Sequence, residues 1–222
     1  MRTHFQESLD SLKGKLLAMA GMAEAAIDAA VRAYQERVPE LCSKVFENEV
    51  MINLAEREID HLALDLLAMQ QPMAVDLRFI LAIIKSNADL ERVGDQAVNI
   101  AERVMELIAL PRVELAADIP QMAAMSAQMI RQALEAFISG NAEQAKRVLE
   151  TDDVVDRMNQ EIFLAMDKTM HECPALIRQA LDTLLIARNL ERVADHATNI
   201  AEDVIFWVRG ADVRHHALAE EK

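Results

Sequence analysis

The sequence predicts an all-α protein: two tandem, pseudo-symmetric three-helix bundles, six long helices in all. Three observations carry that expectation. Gly and Pro number only five each and aromatics make up 4%, while apolar residues reach 52%. The remainder is rich in Ala, Leu, Glu, Met and Arg, the strong helix formers. Long stretches between the breakers keep an apolar period near 3.6 residues. Finally, residues 89–104, DLERVGDQAVNIAERV, return as residues 189–204, NLERVADHATNIAEDV, identical at eleven of sixteen positions without a gap.

The elements follow in order. Phe5, Leu9, Leu12, Leu16, Met19, Ala23, Ala26, Ala30 and Ala33 form one apolar stripe, predicting a helix over residues 5–36. A second is expected over 41–69, with Val45, Ile52, Leu54, Ile59, Leu62, Leu66 and Met69 inward. A third follows Pro72 and runs over 74–109. Pro120 opens the fourth, which ends at Ser139-Gly140-Asn141, where Gly takes the left-handed C-terminal conformation. The fifth covers 142–170, and the sixth starts near Pro174, tolerated in a first turn, and ends near Gly210. The tail ADVRHHALAEEK has little apolar content and is expected to fray. Helices of about 30 residues span roughly 45 Å, which suits an elongated bundle. A period of 100 residues exceeds that of solenoid repeats and reads as domain duplication, 1–110 and 111–222, with the boundary near Pro111.

The formal charge of −14 and pI near 4.8 argue against nucleic acid and against adsorption to an anionic leaflet. No run of 18 apolar residues occurs, so membrane insertion is not expected. Asp10, Lys13 and Lys15 interrupt the N-terminal segment where a signal peptide would be apolar, so the cytoplasm is the default. Cys42 and Cys173 form no metal-type spacing, and a single disulfide between them stays open.

On a helical wheel with Glu91 at 0°, Asp95 falls near 40°, Asn99 near 80° and Glu102 near 20°, at about 100° per residue. Leu90, Val93, Ala97, Ile100, Ala101 and Val104 lie on the opposite side. That alone describes a solvated face. Two facts count against it. Glu, Arg, Asp, Asn and Glu recur unchanged at 91/191, 92/192, 95/195, 99/199 and 102/202, although core packing cannot require residues that face away from the core. Like charges four apart also repel by a few tenths of a kcal/mol, so Arg92 and Arg192, or a bound cation, should compensate.

Neighbouring helices offer Asp152 and Asp156, with Glu49 and Asn53 as the first-half counterpart. Glu91 and Asp95, and likewise Glu191 and Asp195, would then share an all-oxygen site with the adjacent helix. Such a surface site suits Mg²⁺, Mn²⁺ or iron better than copper. Other candidates are weaker. Glu58 to His61 is a Glu-x-x-His, as in di-iron bundles, but its aligned copy, Glu161 to Leu164, has no His. His196 aligns with Gln96, so it has no symmetric role, and His215-His216 are expected to be solvated. No phosphate loop, nucleophile elbow or Cys/His cluster is present. The Met residues read as core filler, with an exposed subset available as an adaptable partner surface.

LERVGDQAVNIAERV and LERVADHATNIAEDVIFWVRG resemble the signature of the PhoU family, and QPMAVDLRFILAIIKSNADLER, residues 71–92, resembles the segment leading into it. The resemblance implies a cytoplasmic, non-enzymatic homodimer. It implies negative regulation of the phosphate-starvation response, with the protein linking a PstB-type transporter ATPase to a PhoR-type sensor kinase. It also implies metal (iron, manganese, zinc or Mg) at Glu91/Asp95 and Glu191/Asp195, with Asp152/Asp156 and Glu49/Asn53. A di-metal carboxylate enzyme and a metal-free acidic scaffold are the alternatives. Asn53 stands where the motif has Asp, and Gln96 where the second copy has His, so the first-half site is expected to be the weaker.

Overall fold

The computed structural model describes residues 2–210. Six α-helices and no strand occur among them: α1 (Arg2–Glu36), α2 (Pro39–Gln70), α3 (Val75–Ile108), α4 (Ile119–Ser139), α5 (Ala142–Glu172) and α6 (Ile177–Arg209). A 3₁₀ turn, Pro174–Leu176, leads into α6, so the helix expected at Pro174 begins as a tighter turn. The tail from Ala211 onward, with His215 and His216, lies outside the described residues.

The termini follow local chemistry. The Asp118 carboxylate accepts from the Gln121 N–H, with Pro120 beside it in the first turn, and Asn141 Oδ1 accepts from the N–H groups of Glu143 and Gln144. Each satisfies donors that a helix start leaves open. Gly140 (φ 62°) and Gly210 (φ 71°) end α4 and α6 in the left-handed region that glycine enters without a Cβ penalty.

In each half the three helices pack on one another, and the halves join mainly through α3 against α6, with α1 against α4. The buried apolar residues of both halves form one continuous core. All the α1 stripe from Leu9 to Ala33 is buried, as are the α3 positions Leu90, Val93, Ala97, Ile100, Ala101 and Val104. Two inward assignments on α2 are corrected: Leu54 is 49% and Met69 71% exposed. The buried stripe of α2 runs Val45, Ile52, Ile59, Leu66, and neither residue lies on it. The same stripe reappears 103 residues on as Val148, Val155 and Ile162, which fixes the alignment of α2 with α5. Cys42 and Cys173 are both free, one buried and one exposed.

The α3/α6 junction is polar as well as apolar. Lys85 Nζ lies 2.8 Å from Asp203, and Asp89 Oδ1 accepts from Asn199 Nδ2 at 3.1 Å with the His196 ring nitrogen at 2.9 Å. Arg103 and Arg178 both reach Asp182, at 3.7 and 3.2 Å, and Arg178 also meets Glu106 at 2.8 Å. These are positions where the two copies differ: Asp89 aligns with Asn189, Arg103 with Asp203, Lys85 with Leu185, and Ala82 with Asp182. The repeats therefore complement each other across the seam instead of meeting like with like.

Candidate metal centre

The acidic residues lie where α2 runs against α3 and where α5 runs against α6. The first register is set by Asn87, whose Nδ2 donates to Asp60 Oδ1 at 3.0 Å and to the Glu56 carbonyl at 2.9 Å. One turn further along α3, Glu56 sits close enough to Glu91 to repel its charge. Beyond that, Gly94 abuts Ile52, where an added Cβ would stand 3.0 Å from the Ile52 Cδ1. Asn53 and Asp95 occupy this same level, next along their helices. The second repeat keeps the register. Asn159, the counterpart of Glu56, donates to Glu191, and Asp156 and Asp152 act on Asp195 and Glu191 through their charges.

The structure thus brings Asp152, Asp156, Glu191 and Asp195 together from two helices. In the first half it gathers Glu49, Glu91 and Asp95, with Asn53 on the same seam. The outward placement from the wheel needs correction. Glu91 and Glu191 are half-buried, because the middle helix of each bundle lies along the polar stripe. A wheel sees only the helix it is drawn on.

Burial has the electrostatic consequence expected of it. The Asp152 carboxyl is pushed up to about 7, first by loss of hydration and then by Asp156, Asp195, Asp153 and Glu191. Glu91, Glu191 and Asp195 are raised by the same leading cause and then by their acidic neighbours, and Arg92, Arg188, Arg192 and His196 oppose this only in part. Glu56, not foreseen from the sequence, is raised too, by burial and then by Asp60 and Asp95.

The donor chemistry fits a hard cation. Asn53 Oδ1 and Asp152 Oδ1 are both buried without a hydrogen-bond partner, one in each repeat, in surroundings made of carboxylate oxygens. Among the described residues no three His, Cys, Asp or Glu side chains already stand together at metal-holding positions, so binding requires rotamer changes along the seam. The other sequence candidates are otherwise engaged. Glu58 pairs with Lys15 on α1 at 3.0 Å, and His61 Nδ1 stands 2.8 Å from the Arg57 carbonyl. His196 turns its Nδ1 to Asp89 in the inter-bundle seam. Sequence comparison missed Glu56, Asp60 and Asn87, although 49, 53, 56 and 60 share the heptad spacing of one helix face.

A duplicated three-helix bundle with one half-buried carboxylate seam per repeat is the class of protein that this fold and site define. The chain belongs to the PhoU family: the PhoU domain model matches residues 16–104 and again 119–204. A phosphate-specific transport system accessory protein PhoU homolog from Pseudomonas aeruginosa is 38% identical over 221 residues, covering 98% of this chain and 90% of the relative. The Escherichia coli phosphate-specific transport system accessory protein PhoU is 30% identical over 211 residues, covering 95% and 88%. The crystal structure of PhoU from Pseudomonas aeruginosa superposes with a TM-score of 0.88 at 36% identity, over 93% of this chain and 100% of that one.

Proposed function

We propose that this chain is a cytoplasmic, non-enzymatic accessory protein of phosphate uptake that negatively regulates the phosphate-starvation response. It acts as an adaptor between a PstB-type transporter ATPase and a PhoR-type sensor kinase, as a homodimer. Its carboxylate seams take a divalent cation such as manganese, iron, zinc or magnesium. The observation that carries this reading is the doubled PhoU domain match over nearly the whole chain, together with relatives titled accessory proteins of phosphate-specific transport. No helix among the described residues is long and apolar enough to cross a membrane, so contact with a transporter would be made through its soluble parts.

The residues define what a cation would do. Asp152, Asp156, Glu191 and Asp195 would hold it in the second repeat; Glu49, Asn53, Glu91 and Asp95 are the corresponding first-repeat set. A bound cation supplies positive charge that offsets the mutual repulsion of the acids. The seam residues then tie α5 to α6 and hold the adjoining surface in one conformation, ready for a partner.

Two measurements test the reading. Deleting the gene should release phosphate-responsive transcription in phosphate-rich medium, and unchanged reporter output would overturn the regulatory role. In pull-downs from cell membranes the wild-type chain should retain a transporter ATPase. Glu191→Gln with Asp195→Asn should weaken that retention while leaving the helical circular dichroism intact, since neither residue belongs to the apolar core. Full retention by the double variant, with no metal bound to the wild type, would favour the metal-free scaffold.

A further inference from the structure

The two repeats carry the same seam with its acids in a different order. On α5 the series facing α6 is Asp152, Asp156, Asn159; on α2 the aligned series is Glu49, Asn53, Glu56. Each has two acids and one amide, but acid and amide exchange places one turn apart. The next turn differs more. Asp60 and Asn87 stand there in the first repeat, where the second has Phe163 and Ala187. Asn87 is 0% exposed. Its Nδ2 is held by Asp60 and by the Glu56 carbonyl, while its Oδ1 has no partner, as Asn53 Oδ1 has none one turn away.

An amide oxygen buried without a partner is costly in itself. Two of them flanking Glu56, with Glu91 opposite, form a run of oxygens that needs a cation or donor. In the second repeat the unpartnered oxygen is Asp152 Oδ1, at the other end of the series.

We infer that the first repeat's cation site is displaced about one helical turn, roughly 5 Å, along the α2/α3 seam toward Asp60 and Asn87. Glu56 and Glu91 are its principal acids, and the Asn53 and Asn87 side-chain oxygens its neutral donors. Asn53 then marks a moved site, not a weakened one. Fewer charges and more amide oxygens suit a hard divalent ion such as Mn²⁺ or Mg²⁺. This rests on the reading that the seams bind cations.

The test uses the full chain and Mn²⁺ as the probe, by titration calorimetry, in a Glu191→Gln/Asp195→Asn background that isolates the first repeat. Glu56→Gln should weaken Mn²⁺ binding at least about tenfold, given that even the loss of an outer-shell partner costs about 10–100-fold. Glu49→Gln should leave it within about threefold. Circular dichroism melts confirm that each variant is folded; removing one of several mutually repelling acids should not unfold it. Equal losses in the two variants, or a larger loss in Glu49→Gln, would overturn the displacement. Binding in the wild type that vanishes altogether in the isolating background would remove the first-repeat site but keep the metal reading. A wild type that binds no Mn²⁺ would end both.

Discussion

Arg103→Ala combined with Arg178→Ala is expected to lower stability by about 3–5 kcal/mol, the cost of leaving a buried carboxylate without its counter-charge. The carboxylate is Asp182, whose side chain is 1% exposed and faces Arg103 at 3.7 Å and Arg178 at 3.2 Å. The effect is asymmetric. The two guanidiniums are 32% and 53% exposed and can be hydrated once Asp182 is gone. Adding Asp182→Ala to the double variant should therefore restore most of the loss in urea unfolding. If the triple variant is as unstable as the double, the arginine stems matter through packing and not through charge.

Asp152→Asn is expected to raise the melting temperature of chelator-treated protein at about pH 8 and to leave it nearly unchanged at about pH 3.5. The carboxyl is pushed up to about 7 from an ordinary value of 3.8, so in the interval between them the native state holds a proton that the unfolded chain has released. Stability from this group is therefore intact below about pH 4, falls as pH rises through the interval, and is lowest above about pH 7. Glu191 and Asp195 are shifted in the same direction, so the trend should be reduced and not abolished. A cation reverses the balance by stabilising the ionised form. Mn²⁺ binding to the wild type should strengthen as pH rises through about 7 and release protons. Thermal scans at three pH values with and without Mn²⁺ check both parts. An Asp152→Asn melting temperature that tracks the wild type at every pH would show that this carboxyl is not held protonated.

Much of the site was legible, and for an identifiable reason. Glu91, Asp95, Glu191 and Asp195 were found because identical polar residues recurred where the core did not require them. That comparison detects only what the repeats share. Glu56, Asp60 and Asn87 align with Asn159, Phe163 and Ala187, so they left no trace in it. Asp182, Lys85, Asp89 and Arg103 were missed in the same way, since the inter-bundle seam is made from positions at which the copies diverge. Leu54 and Met69 failed differently: both are apolar and adjacent to the α2 stripe, and hydrophobicity alone does not say which edge of a stripe ends in water.

The six helices and their duplication were decided by the sequence itself. Apolar period, breakers and caps act within a few residues of each other, and an offset of 100 can be read without knowing where anything packs. The environment of the carboxylates was decided only by tertiary structure. With α3 or α6 considered alone, the paired acids lie opposite the core; with α2 or α5 laid along them they become half-buried, raised in pKa and mutually repelling. Likewise, Arg103 and Asp203 are mere differences between copies until α3 meets α6 and each finds its partner on the other repeat. Helical periodicity is local, whereas burial and charge pairing depend on residues a hundred positions away.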